Sequence, residues 1–478
     1  MLWLIKNWGL KVYFFNKKEI FIFTPPYHNY NKNKIYDLKC PNLHYYHCQG
    51  EKIFFTSLTM INRIYNLKNM QRLLVFTLLF CIAVPIVVCQ SPDLIVIDLE
   101  NPQEEIIPMS RFFQQIEYVP LEVNELCPMT KISSYYLTAQ SIIGIHPLRN
   151  AYLFDRKTGH FIHQISREGV GAEEYKRFPL SHWGFDEKNN ILFFHDIDKW
   201  KGFDVSRNKL TTTITMPKYS LMMPIESPLY IHQVLETAKQ LQNGWLHGEI
   251  FNPYPFGDDQ YIGYVNNSTG DVNVKLVIFD KQGHVFHSFP NYVKYKKVTR
   301  ENPLYPGKFY NYNNTVYLIE PFADTLFAVY RDRLEPHIVF KMGDKKTDYV
   351  DAVENLTFTI GRYEINFVKE TDSYVFFQYI VGAYHVNDYV HVNGYYDKKL
   401  KKTFICKMVD GKAFYTNDID GLPDFNPKLI TNTNEFLGVI WPEDLSSNNA
   451  NKLNERVQNI VHQAKTNIVP IMVIAKLK

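Results

Sequence analysis

Asn314-Thr-Val-Tyr-Leu-Ile-Glu-Pro-Phe-Ala-Asp324-Thr-Leu-Phe-Ala-Val-Tyr330, followed by Leu334-Glu-Pro-His-Ile-Val-Phe340, is the stretch that decides the fold. It reads as a strand, a turn, a second strand, a short turn and a third strand. Looser copies fill the chain after about residue 110. Repetition of small antiparallel sheets predicts a propeller, because one such sheet cannot bury its own faces and must stack on its neighbours.

Six units of this kind can be marked, at about 130–166, 178–216, 228–290, the quoted phrase, 360–408 and 412–478. Their strands include Ala151-Tyr-Leu-Phe-Asp155, Trp200-Lys-Gly-Phe-Asp204 and Leu276-Val-Ile-Phe-Asp280. In the first unit the turn Arg156-Lys-Thr-Gly159 follows, with Gly supplying the positive φ of a hairpin tip. The fold class expected is all-β, a six-bladed β-propeller. One surface helix is expected between Asp444 and Ile468, where Leu453, Val457, Ile460 and Val461 fall at helical spacing. Leu94–Asp98 and Ile116–Leu121 read as strands ahead of the first unit, and one of them is expected to close the ring on the last blade.

The first 69 residues read differently. Nine Lys, nine Asn, seven Tyr, six Phe and seven Ile make up 38 of them, and there is no Ala. All five types have codons of A and T alone. Residues 1–69 therefore read as a non-native upstream extension or a disordered segment, the alternative being a tail ahead of a signal-anchor helix. Met70-Gln71-Arg72, the uncharged run Leu73–Val88 and Cys89-Gln-Ser-Pro92 form the three parts of a secretory signal. The division expected is thus 1–69, a signal peptide over 70–89, and a propeller over 90–478. Cys89 is a lipidation candidate, although Val88 is bulky where a small residue is usual; cleavage near Cys89–Gln90 without lipid is the alternative.

The net charge is +3, and nothing in its distribution points to a nucleic-acid surface. Of six Cys only Cys127 and Cys406 follow residue 89, without Cys-x-x-Cys spacing. Two buried thiols are the favoured reading, with a disulfide permitted by export. No cofactor or metal is expected, and no nucleophile elbow, metalloprotease helix or phosphate loop occurs.

Four segments resemble the six-bladed β-propeller proteins abundant in Bacteroidetes, which are related in architecture to NHL-type propellers. Arg167-Glu-Gly-Val-Gly-Ala-Glu-Glu-Tyr175 is similar to their Gly-x-Gly-Pro-Gly-Glu-Tyr loop, with Ala172 and Glu173 replacing Pro and Gly. Asp324-Thr-Leu-Phe327 with Leu334-Glu-Pro336, Asn417-Asp-Ile-Asp-Gly421 and the ending Asn467-Ile-Val-Pro470 to Leu477-Lys478 are the others. The resemblance implies an exported, often lipid-anchored protein of the periplasm or outer membrane, without a defined activity.

The candidate ligand-binding residues are Arg167, Glu173, Glu174 and Tyr175 in one loop, and Asp418 and Asp420 in another. With Asp424 the last two make a carboxylate cluster whose blander reading is a hydrogen-bonded turn. His195, Asp196 and Asp198 are explained equally well by a strand and a turn. Trp183, Trp200 and Trp245 are more often core than sugar-stacking residues. No catalytic residue is assigned. The function expected is a ligand-binding or protein-interaction module of the cell envelope, its partner an envelope protein, glycan or peptide. The rival is a lyase or hydrolase acting on polysaccharide or peptide at the channel mouth. Membrane contact is expected only through lipid on Cys89.

Overall fold

The computed structural model describes residues 11–15, 19–23, 94–128, 134–146, 150–175, 183–196, 199–217, 250–257, 259–265, 267, 270, 272–295, 307–383, 388–445 and 455–478. The chain divides into two units, Met1–Val88 and Cys89–Lys478. In the first, strands Lys11–Phe15 and Glu19–Phe23 pair as an antiparallel hairpin. The signal-like stretch 70–89, with the lipidation candidate Cys89, lies outside the described residues, as does Trp245.

The second unit is a six-bladed β-propeller. Blade 1 comprises Ser134–Leu137, Ser141–Ile145, Ala151–Asp155 and Phe161–Ile165. Blade 2 comprises Trp183–Asp186, Ile191–Asp196, Lys199–Asp204 and Lys209–Thr215. Blade 3 runs from Ile250–Pro255 to Val285–Pro290. Blade 4 runs from Lys308–Tyr312 to Leu334–Lys341, and blade 5 from Tyr363–Glu370 to Lys402–Cys406. Strand direction alternates within each blade. First-to-second and third-to-fourth turns therefore share one face, here the lower. Second-to-third loops and blade-to-blade connections share the upper face.

Burial follows from stacking. Middle strands such as Ser141–Ile145 are covered on both faces by the neighbouring blades and are buried throughout. The outermost strand Lys209–Thr215 alternates exposed and covered positions, as one wetted face requires. Apolar clusters lie between blades 1 and 2, 2 and 3, 3 and 4, and through blades 4 to 6. Leu137, Ile142 and Phe154 of blade 1 meet Leu437, Met472 and Ile474 of blade 6, so the ring is closed.

Closure uses the segment expected for it. Blade 6 takes Leu429–Ile430, Glu435–Ile440 and Ile471–Leu477 from the C-terminal end, and its outermost strand is Phe113–Pro120. Upstream, Ile95–Asp98 pairs in parallel with Ile338–Lys341 of blade 4, and Gln103–Glu105 with Phe404–Cys406 of blade 5. The N-terminal segment is thus a strap that covers the outer strands of blades 4 and 5 and supplies the outer strand of blade 6. Arg156 of blade 1 locks the joint through Glu435, at 2.6 and 3.2 Å.

The recurrent Asp has one job. The carboxylates of Asp155, Asp204, Asp280 and Asp397 each accept backbone N–H groups two to four residues on, at 2.8–3.0 Å. Gly159 has φ +72°, and a Cβ there would meet the Pro120 carbonyl at 1.9 Å, so this tip is glycine both for its conformation and for the closing strand beside it.

The helix Glu455–Asn467 interrupts blade 6 as expected, burying Val457, Val461 and Ala464; a second short helix, Tyr349–Glu354, lies between blades 4 and 5. One boundary differs. Phe414 to Asn417 does not open the last blade, whose first strand begins at Leu429. Tyr415 instead pairs with Phe425 and is buried against Phe113, so the segment serves as a wedge between blades 5 and 6. Cys127 and Cys406 are buried free thiols. No helix among the described residues is long and apolar enough to cross a membrane.

Candidate functional site

The two sequence-derived groups stay apart. Loop 167–175 joins blades 1 and 2. Arg167 pairs with Glu174 at 2.5 Å, and Glu174 also accepts the Gly171 N–H at 2.9 Å. That amide and then the guanidinium hold the Glu174 carboxyl below its usual range. Lys201 donates to the Glu174 carbonyl and pairs with Asp196 at 3.1 Å. Tyr175 is 3% exposed and stacks on Phe194 at 4.5 Å. Of the four candidates only Arg167 and Glu173 present a largely exposed side chain. Trp183 packs on Phe194, and Trp200 is fully buried.

Loop 417–424 joins blades 5 and 6. Asp418 accepts the Ser110 N–H at 3.0 Å and its hydroxyl, tying the strap to the loop. Asp420 accepts from Asn417 Nδ2 at 2.8 Å and from the Leu422 N–H at 3.2 Å, and Asp424 from the Asn417 N–H at 3.0 Å. Asp418 thus serves the strap, while Asp420 and Asp424 both hold Asn417 within the loop. Among the described residues no three His, Cys, Asp or Glu side chains converge as metal ligands would.

The structure adds a site that the residue patterns did not single out. On blade 5, Gln378 stands opposite Asn393, with Asn366 at the bulge beside it; Glu364, Ile380 and His391 form the next row on the same sheet face. The first row is an amide network in which Gln378 and Asn393 are fully buried and Asn366 is half-buried. Asn366 Nδ2 donates to Gln378 Oε1 at 2.6 Å. Gln378 Nε2 reaches Asn393 Oδ1 at 2.8 Å and Asn426 Oδ1 at 2.9 Å, and Asn393 Nδ2 reaches the Ala413 carbonyl at 3.1 Å. The network fixes two things. It holds Asn366, whose carbonyl and side chain receive Lys308 Nζ at 2.6 and 2.9 Å. It also holds Asn426, two residues before Lys428.

Lys308, Glu364 and Lys428 sit at or near the starts of the innermost strands of blades 4, 5 and 6 and line the upper end of the channel. They keep solvent-accessible area while protein surrounds them, so desolvation shifts each. It raises Glu364 to about 7 against the opposing pull of Lys308, and lowers Lys428 to about 8. His391 falls to about 4, through burial first and then Lys428 and Lys308. Lys428 also lines a cavity of about 1180 Å³ over blade 6, with Tyr135, Tyr136, Tyr389, Trp441 and Asn417. One signal was available: each lining charge lies near the head of its unit's first strand.

Residues 94–476 match the family described as a domain of unknown function, DUF4934. The chain belongs to this family. No curated protein matches it. A solved Bacteroides fragilis protein described as exported is 13% identical with a TM-score of 0.56, over 80% of this chain and 99% of that one. A member of the duf4221 family from Bacteroides vulgatus is 10% identical with a TM-score of 0.41, over 77% of this chain and 97% of that one. The first likeness bears on the fold.

In this DUF4934 propeller the upper cavity thus combines aromatic faces, amide groups, the ammonium groups of Lys412 and Lys428 and the carboxylates of Asp410, Asp424 and Asp444, with Lys412 facing Asp444 at 3.9 Å. Aromatic rings offer stacking area, Lys428 attracts negative charge, and Asn417 and Asn426 donate and accept hydrogen bonds.

Proposed function

We propose that this protein is an exported cell-envelope binding module whose upper cavity holds an extended polar ligand, a glycan or peptide bearing an acidic group at Lys428. The observation that carries this reading is the cavity itself, where seven aromatic residues, Tyr135, Tyr136, Tyr389 and Trp441 among them, and Lys428 line about 1180 Å³. Pockets of this order accommodate several sugar or amino-acid residues. Export rests on the charged start, apolar run and Cys89 of residues 70–89. Cys89 is the residue that would carry a lipid anchor.

Binding of acidic and neutral oligosaccharides and of acidic peptides to the full chain tests the ligand. Lys428→Ala and Trp441→Ala should each weaken the best ligand about tenfold, the loss expected for one charged hydrogen bond or one aromatic anchor. Equal binding by both variants would refute the site. Intact mass of the protein from fractionated cells tests export: a start at Cys89 with acyl chains, or near Gln90 without them, supports it, and a retained residue 1 refutes it.

A second reading has its own observation. Glu364, His391 and Lys428 cluster with acid–base properties displaced toward neutral forms, as catalytic groups are. Under this reading the site cleaves a polysaccharide or peptide. Glu364→Gln would then abolish product formation while binding persists, and absence of cleavage across the same ligands rejects it.

A further inference from the structure

The lower face carries a second cavity, of about 780 Å³. Its walls include the first-to-second-strand turns of blades 4, 5 and 6, with Asn314, Thr371, Ser373, Asn432 and Asn434 lining it. Lys369 lines it too, and is 4% exposed.

The charges around Lys369 are committed elsewhere. Lys398 donates to Glu370 and to the Thr371 carbonyl at 2.6 and 2.7 Å, and the second Glu370 oxygen pairs with His337 at 2.7 Å. Asp372 accepts the Tyr312 hydroxyl at 3.0 Å, and Arg111 pairs with Glu105. Glu187, from blade 2, is taken by the Asn432 N–H at 3.0 and 3.2 Å and acts on Lys369 only through its field. Among the described residues, Lys369 Nζ has no hydrogen bond or ion pair. A buried ammonium left so is costly, and the cavity beside it is where an anionic oxygen would relieve the cost. The turn amides and hydroxyls around it both donate and accept, which is what a ligand's hydroxyl groups require.

We propose that the lower-face cavity is a second ligand site, one that takes a hydroxylated anion, a sugar acid or sugar phosphate, with its charged group on Lys369 and its hydroxyls on the turn side chains of blades 4 to 6. Its size suits a mono- or disaccharide. It is separate from the upper cavity, and neither site depends on the other.

Calorimetric titration of the full chain with glucuronate, glucose 6-phosphate, inorganic phosphate and glucose tests it. Glucuronate or glucose 6-phosphate should bind, the stronger of the two identifying the charged group, and glucose should bind at least about tenfold more weakly. Lys369→Met should remove the preference for the anion. Asn432→Asp, on an exposed turn, should weaken the sugar anion several-fold and serves if Lys369→Met does not fold. Lys428→Ala should leave this binding unchanged. No binding of either sugar anion at millimolar concentration, wild-type affinity in Asn432→Asp, or inorganic phosphate binding as tightly as glucose 6-phosphate would each overturn the proposal.

Discussion

Replacing Arg156 with Met should open the weakest joint of the ring. Arg156 reaches Glu435 of blade 6 at 2.6 and 3.2 Å and Glu117 of the closing strand at 3.6 Å. The Arg156 and Glu435 side chains are only 12% and 13% exposed. Methionine keeps much of the aliphatic stem and removes the charge, so the loss measures the ion pair. Breaking a fully buried pair costs about 3–5 kcal/mol. Here Thr433 still donates to Glu435 at 3.1 Å and some water reaches the site, so we expect about 2–3 kcal/mol. Arg207→Met, at a pair whose arginine is 71% exposed, is the control and should cost under about 1 kcal/mol. Urea unfolding should show the difference as a lower midpoint with an unchanged slope.

The pH dependence has a definite sign. Burial alone would raise the Glu435 pKa, but Arg156 outweighs it and holds the carboxyl below its usual range. A depressed carboxylate stabilises the fold above its unfolded pKa and ceases to do so as pH falls through the folded value. The gap between wild type and Arg156→Met should therefore be widest at neutral pH and close below about pH 4. A gap under about 0.5 kcal/mol at pH 7, or one that does not change with pH, would refute the assignment of closure energy to this pair.

Phe112 lies at the strap's turn into blade 6, 3% exposed, with edge contacts to Tyr374, Phe376 and Tyr395 at 4.8–5.2 Å. Phe112→Ala should cost about 3–5 kcal/mol by urea unfolding, whereas loss under about 1 kcal/mol would mean the strap is dispensable there. Gln378→Leu takes away the acceptor of Asn366 Nδ2 and the donor to Asn393 Oδ1 and should cost about 2–4 kcal/mol; a neutral result would show that the network relaxes around the gap. Because Lys428 gives up its proton at about 8, affinity for an acidic ligand of the upper cavity should fall as pH rises past that value, and titration across that range checks it. Deletion of residues 90–122 should yield insoluble protein, and a soluble, cooperatively folding product would count against strap closure.

The candidate sites were legible only in part. Loops 167–175 and 417–424 stood out because Gly, Asp and Glu gather there, and the same residues are what a chain uses to satisfy its own turns. Glu174 and Asp420 do so through short local bonds. The channel residues gave a weaker trace. Lys308, Glu364 and Lys428 are far apart in the chain, and each resembles an ordinary polar strand start.

What the sequence by itself determined was local and periodic. Alternation and apolar runs marked the strands, Gly159 marked a hairpin tip, the i, i+4 spacing of Val457 and Val461 marked the helix, and six recurrences of the unit implied a ring. These signals depend on residues a few positions apart, so they survive in one dimension. The tertiary structure alone decided that residues 95–105 run in parallel along two outer edges, that Tyr415 is a wedge and not a blade strand, and which charges share the channel. Those outcomes arise from contacts spanning hundreds of residues, such as Asp98 with Thr403 and Arg111 with Tyr395. Burial and electrostatic coupling depend on distance in space, and only closure of the ring sets that distance.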